Sequence, residues 1–133
     1  MAERYLFRGK RLDEGGWATG YFRINLNGES KIYYPRDGGR AHYVNPATIG
    51  QCTGLRGKDG MLIFEGDIVG SHHRFTVTWD QDGWWLVHSK KEVPAIPLVS
   101  VAEYHEIVGN IHDTPELLEV HHMAREESGH TMD

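Results

Sequence analysis

The first regularity along the chain is a two-residue alternation of apolar and polar positions, broken at short intervals by turn-forming pairs. In Arg74–Trp79 (RFTVTW), Phe75, Val77 and Trp79 fall on one side and Arg74, Thr76 and Thr78 on the other, the period of a half-buried strand. The run Trp84–His88 follows after Asp82-Gly83, and the two runs predict an antiparallel hairpin. Asn27-Gly28, Asp37-Gly38 and Asp59-Gly60 are three more such pairs. Gly20–Leu26 and Ser30–Tyr34 flank the first, and Met61–Phe64 follows the last. Further strands are expected at Arg4–Lys10, His42–Val44, Asp67–Val69, Leu98–Val101 and Glu106–Ile111. Short strands at such spacing predict a small antiparallel barrel or sandwich, mostly β, in which part of an SH3-like barrel would fit. The expected core draws on Phe7, Phe22, Ile32, Leu62, Phe64, Ile68, Val69, Phe75, Val77, Trp79, Leu86, Ile107, Val108, Ile111 and Leu117.

Only the end of the chain reads as helix. Thr114 is a candidate N-cap and Pro115 a candidate first helical residue, where its missing N–H costs nothing. Leu117, Val120 and Ala124 make one stripe, and beyond Glu126 the chain is polar. One domain over residues 1–118, with a helix end and polar tail over 119–133, is the expected organisation.

Composition changes this picture at three points. Glycine is abundant, 16 of 133 residues, and six of those fall within residues 50–70, as tight turns require. Cys52 is the single cysteine, so no internal disulfide can form. No apolar run approaches ~18 residues and the N-terminus lacks a long apolar core, so neither a membrane partner nor a signal peptide is expected. Together these fit the cytoplasm of a cell. Charge is uneven: residues 1–45 hold eight Lys/Arg against five Asp/Glu, whereas residues 101–133 hold one against eight. The overall balance of −5 disfavours binding a phosphate backbone by charge alone. The basic N-terminal third, with Arg4, Arg8, Lys10 and Arg11, keeps a nucleic-acid partner open.

Candidate chemistry is sparse. Glu65 and Asp67 are two apart and would share a strand face as an acid/base pair, but acids beside Gly66 read first as turn caps. Arg56 and Lys58, in TGLRGKDG, could meet an anion, although the loop lacks the phosphate-loop spacing and reads as a solvated hairpin. His72 and His73 are adjacent, and on a strand would point to opposite faces. No H-E-x-x-H or C-x-x-C spacing occurs among the nine histidines, so no metal or other cofactor is expected. Ser71-His72 and His88-Ser89 are neighbours in sequence, which is no catalytic geometry.

The aromatic residues say more. Trp79, Trp84 and Trp85 surround one hairpin, and consecutive Trp84 and Trp85 must face opposite sides. Tyr33, Tyr34 and Tyr43 pose the same two-sided problem. Either the sheet is covered on both faces within the chain, or one set of rings serves an interface. Stacking of single-stranded bases is a further use of such rings.

Two stretches carry a family resemblance. TGLRGKDGMLIFEGDIV, Thr53 to Val69, resembles a signature of the YopX family, and IVGNIHDTPELL, Ile107 to Leu118, resembles that family's second motif in the same order and spacing. Tyr5-Leu6-Phe7-Arg8-Gly9 is a weaker echo of its start. The departures are Met61-Leu62 for a polar pair, His112-Asp113 for an aromatic-acidic pair, and a longer tail. The resemblance implies a mostly β fold and a phage or prophage origin, and it brings no catalytic residues. The resulting expectation is a non-enzymatic phage-type accessory protein that binds protein, a host or phage partner or a second copy of itself. The alternative is a nucleic-acid-binding small β-barrel. The candidate binding residues are Trp79, Trp84, Trp85, Tyr33, Tyr34, Arg56 and Lys58.

Overall fold

The computed structural model describes residues 2–34 and 38–118, with Ala2 by its backbone alone. Asp37 of the Asp37-Gly38 pair, and the helix end and tail expected over 119–133, lie outside the described residues. The chain is mostly β, with eleven strands among the described residues: β1 (Phe7–Lys10), β2 (Trp17–Ile24), β3 (Ser30–Tyr33), β4 (Ala41–Tyr43), β5 (Gly50–Arg56), β6 (Leu62–Phe64), β7 (Asp67–Val69), β8 (Phe75–Asp80), β9 (Gly83–His88), β10 (Ile96–Pro97) and β11 (Ile107–Asn110). They form two open antiparallel sheets, in the orders β4-β3-β2-β1-β5-β6 and β10-β9-β8-β7-β11, so neither is the closed barrel that was one expectation. No helix among the described residues is long and apolar enough to cross a membrane. The chain divides into two compact units, residues 1–54 and residues 55–133.

In the first unit the β2–β3 hairpin sets the register. Asn25 organises its turn: the side-chain oxygen accepts the N–H groups of Asn27 (3.0 Å) and Glu29 (2.9 Å), while its carbonyl accepts the Gly28 N–H at 3.0 Å. Gly28 takes the left-handed φ of +82° that this turn demands. Phe22 therefore stands opposite Ile32 and Tyr21 opposite Tyr33. One face gathers the core: Ala18, Ile32 and Val44 are buried, with Phe7, Phe22 and Ile49 packed against them. The Phe7 and Phe22 rings lie 5.6 Å apart.

The second unit is built on Ile63, Val69, Phe75, Val77, Leu86, Leu98 and Ala102. Its β8–β9 hairpin pairs Phe75 with His88, Val77 with Leu86 and Trp79 with Trp84. The expected turn dipeptide is displaced by one residue. Gly83 opens β9, and Gln81, not a glycine, takes the positive φ of 56°. Trp79 was expected in the core but is 50% exposed, because the face it shares with Phe75 and Val77 runs past the rim of the cluster at the hairpin end. Ile111 is likewise exposed, one residue beyond the end of β11.

Three elements differ in kind from expectation. Leu98–Val101 is a helical turn, α1, rather than a strand. Pro97 precedes it, and Leu98 and Ala102 are buried four residues apart while Val99 is exposed, which is helical spacing in a run too short to betray its period. Gly50–Arg56 is a seven-residue strand despite two glycines. Arg4–Lys10 begins as a 3-10 turn over Ala2–Tyr5, and only its second half is strand. The C-terminal helix starts as expected: Leu117 N–H bonds the Thr114 carbonyl at 3.0 Å. The Thr114 hydroxyl, however, bonds Asn110 rather than the helix.

Gln81→Gly removes a side chain from a left-handed position and is expected to stabilise the chain by about 0.5–1 kcal/mol. Chemical denaturation measures it, and an unchanged or lowered midpoint would remove the assignment of strain to this turn.

Candidate functional site

Strand alternation gives the first unit a second face opposite its core. The registers place Arg8 and Lys10 of β1 beside Thr19 and Trp17 of β2, Tyr21 and Arg23 of β2 beside Tyr33 and Lys31 of β3, and Tyr43 of β4 beside Lys31. Four cations and four aromatic rings thus share one face, and no Asp or Glu occupies any of these positions. The contacts agree with the register. The Arg8 guanidinium lies 4.8 Å from the Trp17 ring centre, the Lys10 ammonium 5.9 Å from it, and the Lys31 ammonium 5.1 Å from the Tyr43 ring. Tyr21 stands 5.9 Å from Tyr33 and 6.5 Å from Tyr34, nearly parallel to the latter.

At one end of this sheet a cleft of about 460 Å³ opens among Trp17, Thr19, Tyr33, Tyr34, Arg40 and His42, with Arg11 on its wall. Arg11 is partly neutralised, since its guanidinium holds Asp13 at 3.1 Å and Glu14 at 3.3 Å. That hydrogen bond from Arg11 holds the Asp13 carboxyl below the usual range for a carboxylate. The two expected tyrosines therefore lie together at a cleft. Arg8 and Lys10 were expected only as part of the basic N-terminal third, and Trp17 and Lys31, which complete the face, were not singled out from the sequence.

The other expected residues lie in the second unit. Trp79 and Trp84 touch edge to face, with centres 5.0 Å apart. Trp84 is half-buried on the core cluster, while Trp85 stands opposite Thr78 and Pro97 on the other side of the sheet. Arg56 is used in its own hairpin, donating to the Gly60 carbonyl at 2.8 Å. Lys58 is exposed on that loop, anchored by its backbone N–H to the His105 carbonyl at 2.8 Å.

The two stretches that resemble a family meet in space. β7, which ends the first, pairs with β11, which opens the second: Val69 faces Ile107, Ile68 faces Gly109 and Asp67 faces Asn110. Asp67, 1% exposed, accepts the Phe64 N–H at 2.7 Å and so caps the turn between β6 and β7. The Gly66 carbonyl accepts the Ile111 N–H at 2.9 Å. Asn110 folds the far side, its side-chain oxygen accepting from His112 and Asp113, both at 2.9 Å. Gly109 leaves room for this, because a Cβ there would meet the Thr114 hydroxyl and the Leu117 side chain. A family model described as "YopX protein" matches residues 7–119. The chain belongs to the YopX family. No curated protein matches it.

In this YopX chain the second unit also holds a cleft of about 610 Å³ that the sequence did not announce. Four histidines line it: His72, His73, His88 and His105. His72 and His73 sit in a bend between β7 and β8, not on a strand, so the opposite-faces argument does not apply and both reach the same cleft. The His88 Nδ1 accepts the Lys90 N–H at 3.0 Å, which assigns its proton to Nε2. The His105 Nδ1 lies 3.0 Å from the Val101 carbonyl, which can only accept, so in the neutral ring Nε2 carries the lone pair. Phe75 meets both rings edge-on, at 5.3 Å from His88 and 6.2 Å from His105.

Gly109→Ala is expected to destabilise the chain by about 1–3 kcal/mol through overpacking against Thr114 and Leu117. Thermal melting followed by circular dichroism tests this; a wild-type melting temperature would mean that the β11 corner is not close-packed.

Proposed function

We propose that this YopX-family chain is a non-enzymatic, phage-type accessory protein that acts by binding, and that the first unit holds single-stranded nucleic acid on the outer face of β1–β4. The observation that carries this reading is the interleaving of Arg8, Lys10, Arg23 and Lys31 with Trp17, Tyr21, Tyr33 and Tyr43, with no Asp or Glu at these strand positions. Single strands are held by this combination, cations tracking the backbone and rings stacking on bases without regard to sequence. The net charge of −5 does not oppose it locally. The first unit carries eight basic against five acidic residues, and the acidic excess lies in the second.

A fluorescence-anisotropy titration of a labelled pyrimidine DNA strand tests the proposal. Binding should weaken steeply between about 50 and 200 mM salt, and Trp17→Ala should cost about 1–3 kcal/mol. Lys31→Ala should flatten the salt dependence. Absence of binding at low salt would end this reading.

A second reading rests on a separate observation: Trp79, half exposed, seated against Trp84 at the end of the β8–β9 hairpin. A half-exposed tryptophan in a fixed pose suits a protein contact, here a second copy of the chain, in which the basic first unit of one copy attracts the acidic second unit of another. Sedimentation velocity over a concentration series should then show a dimer that Trp79→Ser dissociates. A wild-type monomer at every concentration would dismiss it.

A further inference from the structure

We infer that the histidine-lined cleft of the second unit is a binding site for a phosphomonoester, open to its ligand in mildly acidic solution and weakened as pH rises. This is independent of the nucleic-acid reading, which concerns the first unit.

The charged and polar groups of the cleft come from the β5–β6 loop, the bend after β7, β9 and the stretch between α1 and β11, while Phe75, Val93 and Ile96 bring none. Lys58 enters from the β5–β6 loop and Glu106 from the approach to β11, and their formal charges cancel. Ser71, His72 and His73 come from the bend after β7, His88 from β9, and Tyr104 and His105 from the segment after α1. The sign of the cleft is therefore set by its imidazoles. When His72, His73 and His105 are protonated, the lining carries +3; when they are neutral, it carries none. His88 is left out of that count, since protonating Nδ1 would forfeit its bond from Lys90. Imidazoles are the side chains whose charge ordinarily changes between about pH 5 and 8. Tyr104, whose hydroxyl is raised above the usual range by its hydrogen bond to Glu103, stays neutral throughout, and its one O–H is committed to that carboxylate.

Geometry supports an anion in particular. The bond from His105 Nδ1 to the Val101 carbonyl fixes the ring, so that protonation adds a donor at Nε2. The Ser71 hydroxyl adds another. Metal capture is not indicated, as no group of three or more His, Cys, Asp or Glu side chains among the described residues could hold an ion. The volume, about 610 Å³, exceeds what a bare oxyanion needs, and Phe75, Val93 and Ile96 give it an apolar wall. The chemistry thus calls for a phosphate joined to an apolar or aromatic body. The second unit holds fourteen acidic against six basic residues, so retention depends on this local cluster and not on the general field.

Inorganic sulfate is the cleaner probe of the charge, because it stays doubly charged from about pH 5.5 to 8 and any pH dependence then belongs to the protein. Isothermal titration of the full chain with sulfate at fixed ionic strength should show affinity falling at least about tenfold over that range. The double variant Lys58→Gln, His72→Gln changes two exposed side chains and should weaken binding at pH 5.5 at least about fivefold with its melting temperature unchanged. Phenyl phosphate should bind more tightly than sulfate to the wild type. Sulfate affinity that is flat with pH, or that survives the double variant, overturns the site. Phenyl phosphate no tighter than sulfate overturns the apolar half of the ligand.

Discussion

The register of one hairpin decides what the first unit can do. Side chains alternate along a strand with a period of two, so a slip of one residue exchanges the buried face for the exposed one. Asn25 prevents that slip. Its backbone N–H bonds the Glu29 carbonyl at 3.0 Å, its side-chain oxygen takes two N–H groups, and its side-chain amide reaches Glu29 at 2.9 Å. With the turn closed there, Phe22 must oppose Ile32 and Tyr21 must oppose Tyr33. The same geometric fact sends Ala18, Phe22 and Ile32 inward and Trp17, Tyr21, Tyr33 and Lys31 outward. Gly20 belongs to the same constraint: a Cβ there would run into the Tyr33 carbonyl, so a small residue lets β2 and β3 close beside the tyrosine cluster.

The second unit rests on a different constraint, the pairing of β7 with β11 across some forty residues of chain. Asp67 and Asn110 face each other in that ladder and each turns its side chain back on neighbouring N–H groups. A buried backbone donor is costly to leave unmatched, and Asp67 satisfies the buried Phe64 N–H, while Asn110 takes the more open N–H groups of His112 and Asp113 where the strands bend away. The consequence reaches the histidine cleft. β7 leads directly into the Ser71–His73 bend, and the stretch carrying His105 leads directly into β11, so the clasp that closes the sheet also draws the two segments together. Gly70 donates to the Glu106 carbonyl at 2.9 Å at the point where they meet.

Much of this fold was legible because strands and tight turns write plainly. The alternation in RFTVTW, the Asn27-Gly28 turn and the Glu65-Gly66-Asp67 cap all hold in the structure. What failed to show has physical reasons. Leu98–Val101 is four residues long, too few to separate a helical from an extended period. Gly50–Arg56 contains two glycines and reads as turn, yet Gly54 accommodates the close approach of the Arg4 side chain within a strand. The sites were harder still. Tyr33 and Tyr34 were visible as rings with nowhere obvious to go, but the face that gathers Arg8, Trp17 and Lys31 exists only once three strand registers are known. The histidines were judged by spacing along the chain, whereas His72, His88 and His105 converge from three separate elements. Sequence spacing reports ligands held by one element and is silent on those assembled by topology.

The two stretches that resemble the YopX signature, within a family match that spans residues 7–119, are mainly scaffold. Residues 53–69 and 107–118 supply a turn cap, a strand ladder and a close-packed corner, and their polar side chains Asp67, Asn110 and Thr114 are occupied with backbone groups of the same corner. Of the residues assigned to either candidate site, Lys58 alone falls inside them. Both stretches help to close the sheet, and the outward positions of β1–β4 and most of the rim of the cleft lie outside them. A scaffold of this kind carries no chemistry of its own, so the binding proposed for this chain rests on Trp17, Lys31, His72 and His105, side chains that lie outside the two motifs.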